Sequence, residues 1–371
     1  MTGKERVALA MRGRKADRTP LMCQVSYGFM AAHVVRDPLR FWYAPEGLAE
    51  AFVETADRYR FDGILVNKAA AAPGKLDELV SLEPLPSGEK LATWRGGRRT
   101  RILPDTDPVD LDGAPEDRRP VSIDDLDVDA IPAVSEEDRP DWSCNVLKAV
   151  LRARGETLSV HGEIVSNFSS FLYSFRSTEY GLMALLDDPD KAKAAIERLN
   201  RNSIFEAREQ CRLGIDALKI SCAWAGAGLI SREMYEEFVL PTKQELIDAV
   251  HREFGIPVYI HTCGAIGDRL DLLAATGADG LECLDPPPIG TCDLRQASRI
   301  LGGRMFITGN LDSVNEMWGR TPEQVLETAR GRLEIGREHE GGYILSSACS
   351  VAPDVPEENL TVLHEAVERY G

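Results

Sequence analysis

Val258-Tyr-Ile-His-Thr-Cys-Gly264 is a short apolar run that ends in His261 and Cys263 and is closed by a glycine. Side chains alternate along a strand, so residues i and i+2 point to one side. The run therefore predicts a buried strand whose end presents an imidazole and a thiol in the same direction. Those are the two ligand types that zinc favours most. Working outward, similar apolar runs of four to six residues alternate with helical stretches of ten or more. Runs are centred near residues 21, 64, 158, 217, 258, 281, 305 and 343. The predicted helices include 45–59, 178–213, 232–253, 322–338 and one from about residue 356. Such alternation signals βα units and a parallel sheet. Eight units predict an α/β fold, a (β/α)8 TIM barrel with an N-terminal extension, over the single domain 1–371. A doubly wound open sheet is the alternative, but no Gly-x-Gly-x-x-Gly follows the first run.

The span 75–140 breaks this rhythm. It is rich in Pro, Gly and Asp, with a turn signal at Trp94-Arg-Gly-Gly97 and an acidic stretch from 105 to 129. It reads as an insertion, a small β-hairpin and a loop, that adds no barrel strand. The charge run at 122–127 reads as a solvated face.

Composition excludes several functions. The chain has 371 residues, a net charge of -17 and 43% hydrophobic residues. An acidic surface argues against nucleic acid or anionic membrane as partner. No apolar run reaches the roughly 20 residues that span a bilayer. The opening segment lacks a signal-peptide core, which predicts a soluble, cytoplasmic protein. Eight cysteines, at 23, 144, 211, 222, 263, 283, 292 and 349, show no regular spacing and no Cys-x-x-Cys. A disulfide framework is not expected, and a single such cysteine is ordinarily a small buried apolar residue.

A barrel collects the C-terminal ends of its strands at one mouth, where active sites form. The strand ends carry Glu163, Lys219, His261 with Cys263, Glu282, Asn310 with Asp312, and Ser346 with Cys349. Thus His261, Cys263, Cys349 and Glu282 can share one site despite their separation in sequence. One nitrogen, two sulfurs and one oxygen suit tetrahedral Zn2+. Glu163 is the alternative oxygen ligand. Cys222 and Cys283 are spare thiols, and alternation predicts that Cys283 points away from Glu282. Glu282, Glu163 and Asn310 are the expected catalytic side chains. Asn67, Asp312 and Ser346 are the expected binding groups; for Asn310, Asp312 and Ser346 turn and cap duties are the competing role.

The opening Arg12-Gly-Arg-Lys-Ala-Asp-Arg-Thr-Pro20, the late Ile307-Thr-Gly-Asn-Leu-Asp312 and the closing Pro353-Asp-Val-Pro-Glu-Glu-Asn359 resemble the uroporphyrinogen decarboxylase superfamily. Within it, His261-x-Cys263 with Cys349 is similar to the zinc-containing methylcobamide:coenzyme M methyltransferases. The Leu281-Glu282 segment resembles the zinc-ligand glutamate region of cobalamin-independent methionine synthase. The resemblance implies a TIM barrel and a zinc that activates a thiol. It further implies a methylcorrinoid (cobalamin), free or on a corrinoid protein, as methyl donor to a small-molecule acceptor. Porphyrinogen decarboxylases carry an arginine-rich motif after the first strand and an aspartate after the second. This chain has Gln24-Val-Ser-Tyr-Gly-Phe-Met30 and Asn67 at those places. Methyl transfer is therefore the expected activity. The alternatives are a metal-free decarboxylase or lyase, using Asn67 and Glu163, and a non-catalytic subunit that docks a corrinoid protein.

Overall fold

The computed structural model describes residues 1–67, 74–112, 117–134 and 143–371. The strands, in chain order, are β1 (Gly63–Val66), β2 (Leu79–Pro84), β3 (Lys90–Trp94), β4 (Arg99–Ile102), β5 (Val109–Asp110), β6 (Ser159–Val165), β7 (Ala217–Ser221), β8 (Val258–Thr262), β9 (Gly280–Cys283), β10 (Phe306–Leu311) and β11 (Tyr343–Ser347). β1 and β6 to β11 form one sheet, in the order β1-β6-β7-β8-β9-β10-β11. All its pairings are parallel. Every residue of β1, β8, β9, β10 and β11 is buried. Burial on both faces is why these strands read as continuous apolar runs.

The expected first barrel strand, 21–25, is not a regular strand. It forms two isolated parallel bridges, Leu21 to Leu345 and Val25 to Val351. On its other side the Asp62 N–H donates to Leu21 O at 2.7 Å. Pro20 and the helix Tyr27–His33, capped by Ser26, leave little length for a ladder. The architecture is thus a curled seven-stranded parallel sheet, a half-barrel. The eight-stranded expectation is met only in that coarser form.

The insertion holds more order than one hairpin and a loop. β2, β3, β4 and β5 form a separate antiparallel sheet. The turn at Trp94–Gly97 is there, with the Gly97 N–H donating to Trp94 O at 2.9 Å. Gly96 and Gly97 sit at φ 89° and 83°, where a Cβ would be strained. Ala92, Trp94 and Ile102 are buried, and Trp94 meets Tyr43 edge-on with ring centroids 4.8 Å apart. Of the expected insertion, 113–116 and 135–140 lie outside the described residues.

The helical stretch predicted at 178–213 is two helices, Thr178–Asp187 and Pro189–Arg212. Pro189 has no N–H to continue the first, and Asp188 caps the second by accepting from the Lys191 N–H. Among the described residues, no helix is long and apolar enough to cross a membrane.

Candidate metal centre

Register places the ionisable groups before any loop is considered. Glu163 on β6 pairs with Lys219 on β7, and His261 on β8 pairs with Glu282 on β9. Lys219 is wholly buried. Its Nζ lies 2.8 Å from Glu282 Oε2 and 3.7 Å from Glu163 Oε1, and it donates to Gln24 Oε1. Burial opposes the charge on Lys219, but Glu163 and Glu282 outweigh it and raise its pKa. Burial likewise pushes Glu282 up, while Lys219 and His261 hold it down to about 2. The pair is therefore an ammonium and a carboxylate in the interior, a costly arrangement unless both partners stay.

Glu282 Oε2 also lies 2.8 Å from His261 Nδ1. The other ring nitrogen, Nε2, lies 3.1 Å from Cys263 Sγ, and Cys263 Sγ lies 3.7 Å from Cys349 Sγ. The ligand atoms of His261, Cys263 and Cys349 all fall within 4.8 Å of one another. A carboxylate on Nδ1 fixes the tautomer and leaves Nε2 as the metal-facing nitrogen. Two sulfurs and one imidazole nitrogen in this compass fit Zn2+, with a further position to fill. Glu282 stands outside this group and meets the imidazole from the opposite side. Burial and Lys219 disfavour a proton on His261, but hydrogen bonds with Cys263, Cys349 and Glu282 raise its pKa. Hydrogen bonds from Cys263 and Cys283, together with His261, hold Cys349 well below the usual thiol range despite burial. A metal taken up here would displace protons.

Cys283 corrects the alternation argument. Its backbone has φ 87°, followed by Leu284 at φ 52°. That twist ends β9 and turns the thiol into the cluster rather than away from it. The ligand atoms of Cys263, Cys283 and Asp285 lie within 4.8 Å of one another. Asp285 Oδ2 accepts from the Gly264 N–H at 2.7 Å, tying the loop that carries Cys263. Cys222, the other spare thiol, is fully buried and belongs to neither group.

The remaining expected residues divide. Asn310 and Ser346 are register partners on β10 and β11 and are buried. Asn310 Nδ2 donates to Leu284 O at 2.8 Å, supporting the turned segment after Cys283. Among the described residues, Asn310 Oδ1, Ser346 Oγ and Glu163 Oε2 are buried without a hydrogen-bond partner. Asp312 caps the turn that follows β10, accepting from the Val314 and Asn315 N–H groups. Asn67 accepts a hydrogen bond from Tyr27 OH and stands by β1, apart from the thiols. Cys263 and Cys349 open on a cleft of about 650 Å³ walled by Trp224, Leu229, Ile289 and Val314.

The sequence profile described as "Uroporphyrinogen decarboxylase (URO-D)" matches residues 107–370. The chain belongs to the uroporphyrinogen decarboxylase family. Within that family it is similar to proteins of two kinds. It is 25% identical to the methylcobamide:CoM methyltransferase MtbA of Methanosarcina acetivorans, over 60% of this chain and 62% of that protein. It is 32% identical to the uroporphyrinogen decarboxylase of Edwardsiella ictaluri, over 50% of this chain and 51% of that protein. The chain thus spans about half to three-fifths of the length of these curated relatives. A methyltransferase structure from Methanosarcina mazei superposes with a TM-score of 0.76 at 16% identity, covering 100% of this chain and 99% of the other. That likeness supports the fold.

Two residues were named in the sequence, Lys219 at a strand end and Cys283 as a spare thiol, but their places in the cluster were not foreseen. Lys219 was visible at a strand end, but its two carboxylate partners emerge only from register across β6 to β9. Cys283 carries no sequence signal, because a left-handed backbone at a cysteine has none.

Proposed function

We propose that this protein is a zinc-dependent, corrinoid-linked methyltransferase that moves a methyl group from a methylcorrinoid to a thiol. The observation that carries this reading is the donor set of His261 Nε2, Cys263 and Cys349 beside an open, apolar cleft. A metal-free decarboxylase has no use for that set. The names of the methyltransferase relatives support the same choice. His261, Cys263 and Cys349 would hold the ion. When bound, Zn2+ lowers the pKa of an acceptor thiol so that it is a thiolate at neutral pH.

The chain's own residues perform the rest. Glu282 accepts the Nδ1 proton of His261 and fixes the ring. Lys219 keeps Glu282 ionised. Asp285 holds the Gly264 N–H and with it the loop bearing Cys263. Leu229, Ile289 and Val314, 45%, 47% and 42% exposed, give the cleft an apolar rim. Such a rim excludes water from a reacting thiolate and fits the face of a corrinoid, free or on a partner protein. Asn310 and Ser346, with their unpartnered oxygens, are polar groups for orienting substrate.

Metal analysis of purified protein, followed by methyl transfer from methylcobalamin to a panel of thiols, tests this reading. Stoichiometric zinc and transfer to at least one thiol are expected. Absence of zinc binding would overturn it.

A further inference from the structure

The carboxylate of Glu282 is committed to His261 Nδ1 and Lys219 Nζ, both at 2.8 Å. Both contacts use Oε2 on the Nδ1 side of the ring, away from the Nε2 that faces Cys263, and Glu282 is not among the ligand atoms that gather with Cys263 and Cys349. A different side chain stands beside Cys263. Cys283 is fully buried, and it sits at φ 87°, a backbone region that L residues rarely occupy. A non-glycine residue in such a region costs on the order of 1–3 kcal/mol. If Cys283 were only a packed apolar group, ordinary strand geometry would hold it without that cost. The turned backbone brings its sulfur within 4.8 Å of Cys263 Sγ. Asn310 Nδ2 secures the turn from β10 by donating to Leu284 O.

We propose that Cys283 is a third sulfur ligand, filling the position that an acceptor thiol takes over. This rests on the zinc reading above. On this reading His261, Cys263, Cys283 and Cys349 would together hold the ion at rest, Cys283 closing on it from its place beside Cys263. An acceptor thiol would take the place of Cys283, which would receive the proton that the acceptor loses. One sulfur bond breaks and one forms, the acceptor becomes the thiolate and Cys283 becomes the thiol. The charge of the site is unchanged and no proton reaches solvent.

The test is X-ray absorption at the zinc edge on the zinc-loaded full chain, with Cys283→Ser and Cys283→Gly beside it. Glycine suits φ 87° and keeps the backbone in place, so a sulfur is lost without strain. About three sulfurs are expected in the parent protein and about two in either variant, with zinc still stoichiometric. Two sulfurs in parent and variants alike would overturn the role of Cys283 and leave the zinc reading standing. A parent protein that binds no zinc removes both.

Discussion

Glu282 Oε2 lies 2.8 Å from His261 Nδ1, across one register pair of β8 and β9, while the opposite ring nitrogen faces Cys263. A carboxylate so placed orients a metal-binding histidine and raises its basicity. Glu282→Gln should therefore weaken zinc binding by about 10- to 100-fold while zinc still binds. Competition against a chelator measures it. Unchanged affinity would mean that the carboxylate has no part in holding the ring.

Lys219 and Glu282 form a buried ion pair, so each single change strands a charge or leaves a gap. Lys219→Met should destabilise the fold by about 3–5 kcal/mol, because Glu163 and Glu282 then lose the ammonium they share. Combining it with Glu282→Gln should recover part of that loss, with a coupling energy of roughly 1–3 kcal/mol. Denaturant melts of the four proteins give the cycle. Strict additivity would show that the pair does not act as a unit.

Cys349 arrives on the segment after β11 and reaches Cys263 across 86 residues of chain. Cys349→Ala should lower zinc affinity by orders of magnitude and abolish methyl transfer, with the far-UV spectrum unchanged. The packing loss at a half-buried thiol is only about 1 kcal/mol. Zinc content and circular dichroism on one preparation decide it. Full zinc occupancy would remove Cys349 from the site, and global unfolding would make the metal structural.

The protein should not convert uroporphyrinogen to coproporphyrinogen. A polyanionic tetrapyrrole needs cations, and Gln24–Met30 contains no arginine. Lys219, which reaches Gln24, is buried between Glu163 and Glu282. Coproporphyrinogen formation at an enzymatic rate would reverse this assignment.

His161 gives a pH signature of stability independent of the thiols. It is buried, with Ser159 Oγ 2.9 Å from Nε2 and Tyr259 OH 3.0 Å from Nδ1. Burial lowers its pKa from 6.5 to about 4. The unfolded chain thus binds a proton between pH 6.5 and 4 that the folded one refuses, so stability is full above pH 6.5 and falls as pH drops to about 4. The loss is about 3 kcal/mol. A His161→Gln variant should show a flatter pH dependence in this window. An unchanged slope would assign the acid sensitivity to other groups.

How far the sequence could be read depended on whether backbone periodicity held. The spacing of His261 and Cys263 obeys strand alternation, and both side chains meet where that argument put them. Cys349 followed from the rule that parallel strands end together. Cys283 broke the same alternation, because φ 87° reverses a side chain and leaves no trace in composition. Asp312 fills both roles that the sequence left open, capping the turn after β10 and lining the cleft beside Cys263 and Cys349. The strand at 21–25 was legible as an apolar run, yet Pro20 and the Ser26 cap curtail its ladder. The separate sheet of β2 to β5 was missed as a sheet because its strands are short and partly exposed.

The 86-residue gap between Cys263 and Cys349 also sets a timetable. At synthesis rates of about 5–20 residues per second, Cys349 is made roughly 4–17 seconds after Cys263. During that interval the nascent chain holds an imidazole and a thiol with no second permanent sulfur to close the set. Tight capture of the ion must await β11, after the sheet has assembled. On the proposed zinc reading, metallation would then be a late event performed on a folded protein. The apoprotein should be a competent recipient, loaded from a cellular zinc pool without refolding.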